Sequence, residues 1–219
     1  APSALPLNLM RRGGAMCDDD NSSVLILVPA AGASSRMRGR DKLLEPIGHA
    51  PLLARQVGRA LETGAQVLVT VARDRPKRAE ALIGLAQDRL EVAMIDAREG
   101  MAVSIRAGAA AAMQRRVDAL MILLPDMPEL ETEDMNMMIA AQAAAPDAVQ
   151  RAATDEGVAG HPVIFPPRLF ESLGSVTGDA GAREVLQGEQ VRLIPLGGKR
   201  AVTDLDTPEE WARWQCLIR

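Results

Sequence analysis

Tyrosine is absent from this chain, and Phe and Trp occur twice each, so aromatic residues make up only 2% of it. Stacking platforms for single-stranded nucleic acid therefore have little to be built from. A surplus of positive charge is missing as well. Lys and Arg number 25 against 29 Asp and Glu, a formal net charge of −4, which argues against a long polyanion or an anionic membrane surface as partner. Cysteine is equally scarce. Cys17 and Cys216 lie near opposite ends with no metal-type spacing, so neither a disulfide framework nor a zinc site is expected, and a reducing cytoplasm fits best. The apolar run from Val24 to Ala33 is too short to span a bilayer, and it follows Asp18, Asp19 and Asp20 where an export signal would carry basic residues. Residues 1–22 mix Pro, Gly, Arg and Asp without periodicity and are expected to form a flexible tail, with Met16 a candidate second start. One domain is expected over 23–219, a length able to bury a sizeable core.

What the chain does contain is apolar runs rich in β-branched residues and Leu: Val24 to Val28, Gln66 to Ala72, Glu91 to Ile95 and Ala119 to Leu124. Segments of helical spacing separate them, such as Leu52 to Leu61 and Ala102 to Met113. Strands that are apolar throughout suit a parallel sheet covered on both faces by crossover helices. After Asp126 the rhythm changes. A Met- and Ala-rich helix over Thr132 to Ala144 precedes "AVQRAATDEGVAGHPVIF", which reads as two strands around a turn containing Gly. A helix near Pro167 to Leu173, the loop "TGDAGAR", a strand at Val191 to Leu196 and a last helix opened by Thr207, Pro208 and Glu210 complete the chain. The expected architecture is a single-domain, Rossmann-like three-layer α/β sandwich, mostly parallel, with a small antiparallel element in the C-terminal half. Met113, Met135, Met137 and Met138 fall at helical spacings and read as core residues.

In open α/β sheets ligands sit beyond the carboxyl ends of the strands, and the stretch from Pro29 to Lys42 leaves the first of them. Ala30, Ala31, Gly32, Ala33 and Ser34 are small enough to bring backbone N–H groups close to a ligand, while Arg36 and Lys42 add full charges suited to phosphate oxygens. The combination fits a triphosphate. Neither G-x-G-x-x-G nor the Walker spacing is present, so this is not one of the two common nucleotide loops.

The pattern "PAAGASSRMRGRDKLLEPI" resembles the signature of the MobA-like nucleotidyltransferases, and four further motifs follow in that family's order: "GMAVSIRAG", "LLPDMP", "GHPVIF" with "TGDAGAR", and "VTDLDTPEEW". The resemblance covers Val24 to Trp214 and is to the branch containing molybdenum cofactor cytidylyltransferase. It implies that Lys42, Arg36 and Asp126 are catalytic, with the loop residues, Gly100, Met101 and Ser104 on the nucleotide and His161, Asp179 and Arg183 facing the acceptor. Arg38, which intervenes before Gly39, and Pro125, before the metal-binding Asp, depart from the family's usual residues.

A triphosphate brings about four negative charges, and Mg²⁺ bridging its oxygens is the usual remedy. Asp126 directly follows an apolar strand, so it stands at the same sheet edge as the opening loop; the resemblance makes it the metal ligand, where it would otherwise cap the turn before Pro128. Asp204 and Asp206 alternate about Leu205, and in an extended segment both would point to one face and share a metal edge. Thr207, Pro208 and Glu210 have the form of a helix start with a capping box. His161, between Gly160 and Pro162, reads as a hydrogen-bonded scaffold more readily than as a base. Asp179 and Arg183 precede and enter an expected helix start near Ala182, whose amides would hold an anionic group.

The resemblance implies transfer of a nucleoside monophosphate, CMP from CTP, to the phosphate of molybdopterin with release of pyrophosphate. A molybdoenzyme of the xanthine dehydrogenase type or its chaperone would receive the product. Rival readings are the use of GTP, transfer to a sugar or alditol phosphate, and a nucleotide-binding module without catalysis.

Overall fold

The computed structural model describes residues 23–85, 88–178 and 181–217. The expected tail over 1–22 lies outside the described residues, as does Asp179. β1 (Val24–Ala30) is buried along its whole length, and its side chains alternate between two cores: Val24, Ile26 and Val28 on one face, Leu25 and Leu27 on the other. A hairpin of β2 (Pro46–Ile47) and β3 (Ala50–Pro51) leads into α1 (Leu52–Glu62). There follow β4 (Gln66–Ala72), the short α2 (Pro76–Glu80), β5 (Leu90–Ile95), α3 (Met101–Arg115), β6 (Ala119–Ile122) and α4 (Thr132–Ala144). The last elements are β7 (Val149–Ala153), β8 (Ala159–Phe165), α5 (Phe170–Leu173), β9 (Val191–Pro195) and α6 (Pro208–Leu217).

Seven strands form one sheet in the order β5-β4-β1-β6-β8-β7-β9. Every pairing is parallel except those of β8, which runs antiparallel to β6 and to β7. The expected antiparallel element is thus a strand inside the main sheet. Leu52, Leu53 and Val57 of α1, Met135 and Met138 of α4, and Trp211 and Trp214 of α6 cover one face. Ala102, Ile105 and Ala109 of α3 with Phe170 and Leu173 of α5 cover the other. Each large aliphatic side chain removed from water contributes about 1.5–3 kcal/mol, so burial on both faces is what makes β1 apolar at every position.

Several details differ from the expectation. β6 stops at Ile122 although the apolar run continues to Leu124 ahead of a turn at Pro125–Asp126; the amide of Leu123 still donates to the carbonyl of Leu27 at 2.9 Å. Met135 and Met138 are core, but Met113 and Met137 are 42% and 48% exposed, on the outer faces of their helices. The helix start expected near Ala182 is a single 3-10 turn, Gly181–Arg183, so it offers no helix N-terminus to an anion.

α3 is entered through Gly100, its N-cap, whose φ of 66° and ψ of −142° only glycine adopts readily. Gly160 has a packing role: a Cβ there would lie 1.8 Å from the carbonyl oxygen of Ala201, to which the His161 amide donates at 2.8 Å. β8 and the 201–203 segment can approach only because that side chain is missing. Gly160→Ala is expected to cost about 2 kcal/mol or more and to lower Tm by about 4 °C or more in a thermal melt; an unchanged Tm would disprove the close approach.

Candidate active site

The loop leaving β1 is shaped by two residues in the left-handed region, Ser34 and Arg38, each with φ 52°, around a 3-10 turn at Ser35–Met37. Met37 is fully buried and anchors the loop to the core. Asp41 then caps a second turn, Lys42–Leu44, by accepting from the Leu43 amide at 3.1 Å. This turn presents the Lys42 ammonium to Asp126 Oδ2 at 2.5 Å and to Asp206 Oδ1 at 2.6 Å. Arg36 reaches the other oxygen of Asp206 at 2.5 Å. Arg38 points away from this cluster and pairs with Glu209.

The carboxylates meet because a tertiary backbone bond holds two segments together. The amide of Leu205 donates to the carbonyl of Asp126 at 3.1 Å, and the Leu205 side chain is buried. Asp204 and Asp206 therefore flank Asp126, as their alternation suggests. The expected capping box fixes the far side: Thr207 Oγ1 accepts from the Glu210 amide, and Glu210 accepts from the amides of Asp206 and Thr207. One oxygen from each of Asp126, Asp204 and Asp206 lies within 4.8 Å of the others. Asp126 Oδ1 is buried without a hydrogen-bond partner. Hard oxygen donors with an unsatisfied buried atom suit a divalent cation.

Burial would lower the Lys42 pKa, but Asp126 and Asp206 more than offset it and hold the ammonium above its ordinary value. Burial and the negative charges of Asp206 and Asp126 raise the Asp204 carboxyl. Three carboxylates against two cations leave the cluster with one negative charge in excess, and such a site repels a triphosphate unless a dication reverses its sign.

Two cavities lie at this sheet edge, and Asp204 of the cluster lines the second. The first, about 570 Å³, lies between the carboxyl ends of β1, β4 and β5; Ala31, Gly32, Ala33, Gly100 and Met101 line it with Arg73, Asp74, Arg75, Asp96 and Arg98. A Cβ on Gly32 would meet nothing within 4 Å, so the loop has free space in front of it. Ser104 reaches this cavity with only 1% of its surface, its hydroxyl accepting from Thr70 at 2.9 Å. The second cavity, about 430 Å³, is walled by Ile105, Ile122, Val163 and Phe165 and carries Arg151, His161, Arg183 and Asp204. Met101 belongs to both walls. His161 Nδ1 is buried and unpartnered, and burial, with the positive charge of Arg151 behind it, pushes the imidazole down to about 4.

The structure thus brings together Arg36, Lys42, Asp126, Asp204 and Asp206 at one edge and places His161 and Arg183 on the neighbouring cavity; Ala30, the last residue of β1, is buried beneath the loop rather than facing the cavity. Sequence reasoning missed Arg73, Asp74 and Arg75, although the rule that flags the loop after β1 applies equally to the residues leaving β4. It also missed Arg151, which donates from Nε to the Gly160 carbonyl, and Arg78. Arg78 is fully buried on α2 and donates to Asp41, Ser34 and the carbonyls of Ala30 and Gly32. No local pattern marks it.

Residues 26–193 match the MobA-like NTP transferase domain. Among curated relatives, the purine catabolism protein PucB of Bacillus subtilis is 27% identical over 200 residues, spanning 87% of this chain and 95% of that protein. Among solved structures, the homologue of Mycobacterium tuberculosis Rv0371c from Mycobacterium sp. strain JC1 is 25% identical with a TM-score of 0.76, over 90% of this chain and 98% of that one. Rv0371c itself, solved in complex with manganese, is 23% identical with a TM-score of 0.68, over 87% and 97% of the two chains, a likeness of fold.

Unfolded, His161 would take up a proton near its ordinary 6.5; folded, it does so only near 4. Between those values the unfolded chain binds more protons, so the contribution present above pH 6.5 is lost as pH falls, by about 3 kcal/mol at pH 4. His161→Gln is expected to flatten the fall in stability across this window, measured by urea unfolding at several pH values. An equally steep fall in the variant would show that the imidazole titrates normally.

Proposed function

The chain belongs to the MobA-like NTP transferase family, a nucleotidyltransferase by membership, and from that premise we propose that it transfers CMP from CTP to the phosphate of a molybdopterin-type acceptor. The observation that carries this reading is the pair of cavities sharing Met101 at the sheet edge that carries the Lys42–Asp126–Asp206 cluster. One cavity has the dimensions and small-residue loop for a nucleotide; the other is apolar-walled with arginines, as a flat heterocycle bearing a phosphate requires. Cytidine is favoured by Ala30-Ala31-Gly32, the loop form that goes with cytidine in the resemblance. The relative's name, purine catabolism protein, accords with delivery of the product to a purine-oxidising molybdoenzyme or its chaperone.

In this reading an oxygen of the acceptor phosphate attacks the α-phosphorus in line. The new P–O bond forms as the bond to the bridging oxygen breaks, and pyrophosphate leaves with that electron pair. A lysine ammonium has three N–H donors; two go to Asp126 and Asp206, and the third is free for an α-phosphate oxygen. Arg36, whose side chain is 68% exposed, can leave Asp206 for the β and γ phosphates. Mg²⁺, held by Asp126 with Asp204 or Asp206, would neutralise phosphate charge. His161 is neutral at physiological pH and serves as a hydrogen-bonding wall of the acceptor cavity, not a base. Arg183 and Asp179 are the further acceptor contacts in this reading. The rest is positioning and electrostatics.

Pyrophosphate release is to be measured with each of the four ribonucleoside triphosphates, with and without pterin phosphate. Release only with CTP and the acceptor is expected. Turnover with GTP, or with a sugar phosphate, would move the chain to a rival activity, and no release under any condition would overturn the catalytic reading.

Lys42→Ala should lower kcat by a factor of about a hundred to a thousand while changing triphosphate affinity far less, because the lost contact strengthens as charge grows at the α-phosphate. A collapse of affinity at unchanged kcat would make Lys42 a ground-state anchor. Asp126→Asn should abolish turnover and weaken Mn²⁺ binding followed by electron paramagnetic resonance; undiminished Mn²⁺ binding would remove Asp126 from the metal site.

A further inference from the structure

Arg78 is the largest fully buried side chain among the described residues, and the reaction just described gives it no task. A guanidinium has five N–H donors, and here each has an acceptor. Nε donates to Asp41 Oδ2 at 2.8 Å; Nη1 to the carbonyls of Ala30 at 2.6 Å and Gly32 at 2.7 Å; Nη2 to Ser34 Oγ at 3.0 Å and Asp41 Oδ1 at 2.9 Å. All of these acceptors lie on the loop after β1 or on its two stems. The side chain therefore ties the start of the loop to its end, and it holds Ser34 in its left-handed conformation. Asp41, gripped at both oxygens, also caps the turn that carries Lys42.

Burying a charge is costly, and a well-packed apolar side chain would stabilise the fold at least as well. What an apolar residue could not do is fix the loop's carbonyls, and so the opposite, outward direction of its amides. We propose that Arg78 is the positioning residue of the triphosphate loop: through Asp41 and the Ala30 and Gly32 carbonyls it sets where Lys42 and the loop amides stand. This rests on the reading of the loop as a triphosphate site. Lysine cannot replace it, having three donors and no planar fork.

Removing Arg78 alone strands the Asp41 carboxylate and threatens folding, so the test pairs Arg78→Met with Asp41→Asn. Asparagine can still cap the Lys42 turn, so what is lost is the tie together with the looser pairing of Arg75 with Asp41 at 3.7 Å. The double variant is expected to melt within a few degrees of the wild type. Amide hydrogen exchange over residues 31–40 of the nucleotide-free protein should speed up clearly, and kcat should fall about a hundredfold, the effect of a displacement of about 1 Å at a catalytic group. Wild-type exchange and wild-type kcat in the double variant would overturn the proposal and leave Arg78 a scaffold residue. Should the double variant not fold, Arg78→Lys, which keeps a cation beside Asp41, carries the same two measurements; its full equivalence to wild type would be equally fatal. Exchange reads the tie whatever the loop binds, so a wild-type protein that binds no triphosphate would overturn the functional reading while the exchange result still decides whether Arg78 fixes the loop.

Discussion

Burial of β1 on both faces is the constraint from which the rest follows. A strand whose seven residues are all buried must pair on both edges, and β4 and β6 supply parallel partners. Parallel pairing sends the connections over the two faces as helices, and it aligns the carboxyl ends of β1, β4, β5 and β6 along one edge. The chain that leaves β1 emerges from the interior, where every carbonyl needs a donor. Arg78 answers that need, which is why a guanidinium with no exposure sits under the loop after β1.

The edge is an electrostatic device as much as a shape. Lys42 and Arg36 come from the first loop, Asp126 from the end of β6, and Asp204 and Asp206 from the segment before α6. Their opposite charges neutralise most of one another at short range while an uncompensated carboxylate oxygen remains buried. Such a cluster holds groups of both signs in direct contact, and in the proposed reaction a phosphate and a dication would exchange partners with it at low reorganisation. The second cavity differs: it is walled by apolar side chains and keeps His161 neutral by desolvation. One sheet edge thereby offers two environments side by side, separated by the width of Met101.

Local chemistry was legible in the sequence. The apolar run marks β4 because both its faces are covered, β5 is found to within a residue although that edge strand is only partly buried, and the Thr207–Glu210 box marks the start of α6 because capping is settled within a few residues. The alternation of Asp204 and Asp206 about Leu205 places both beside Asp126 for the same reason, an extended backbone of period two. Where the local signal was weak the reading slipped. Met113 and Met137 have the spacing of core residues but sit on the outer faces of α3 and α4, since spacing alone does not say which face is covered. The small residues around Gly181 allow a turn as readily as a helix start.

What the sequence by itself determined, then, is the order and kind of the elements, the sheet edge at which the clustered charges stand, and the residue types on which the proposed triphosphate and dication site rests. Each of these is set by interactions between residues a few positions apart, or by a pattern that burial imposes on every strand alike. Only the tertiary structure decided that Lys42 bonds to Asp206, 164 positions away, that Met101 divides two cavities, and that Arg78 holds Asp41 across 37 positions. Those contacts join side chains on different elements, and their geometry depends on how helices and strands pack. The energy of a buried ion pair comes from desolvation and direction at the point of contact, and neither quantity exists until the chain has folded.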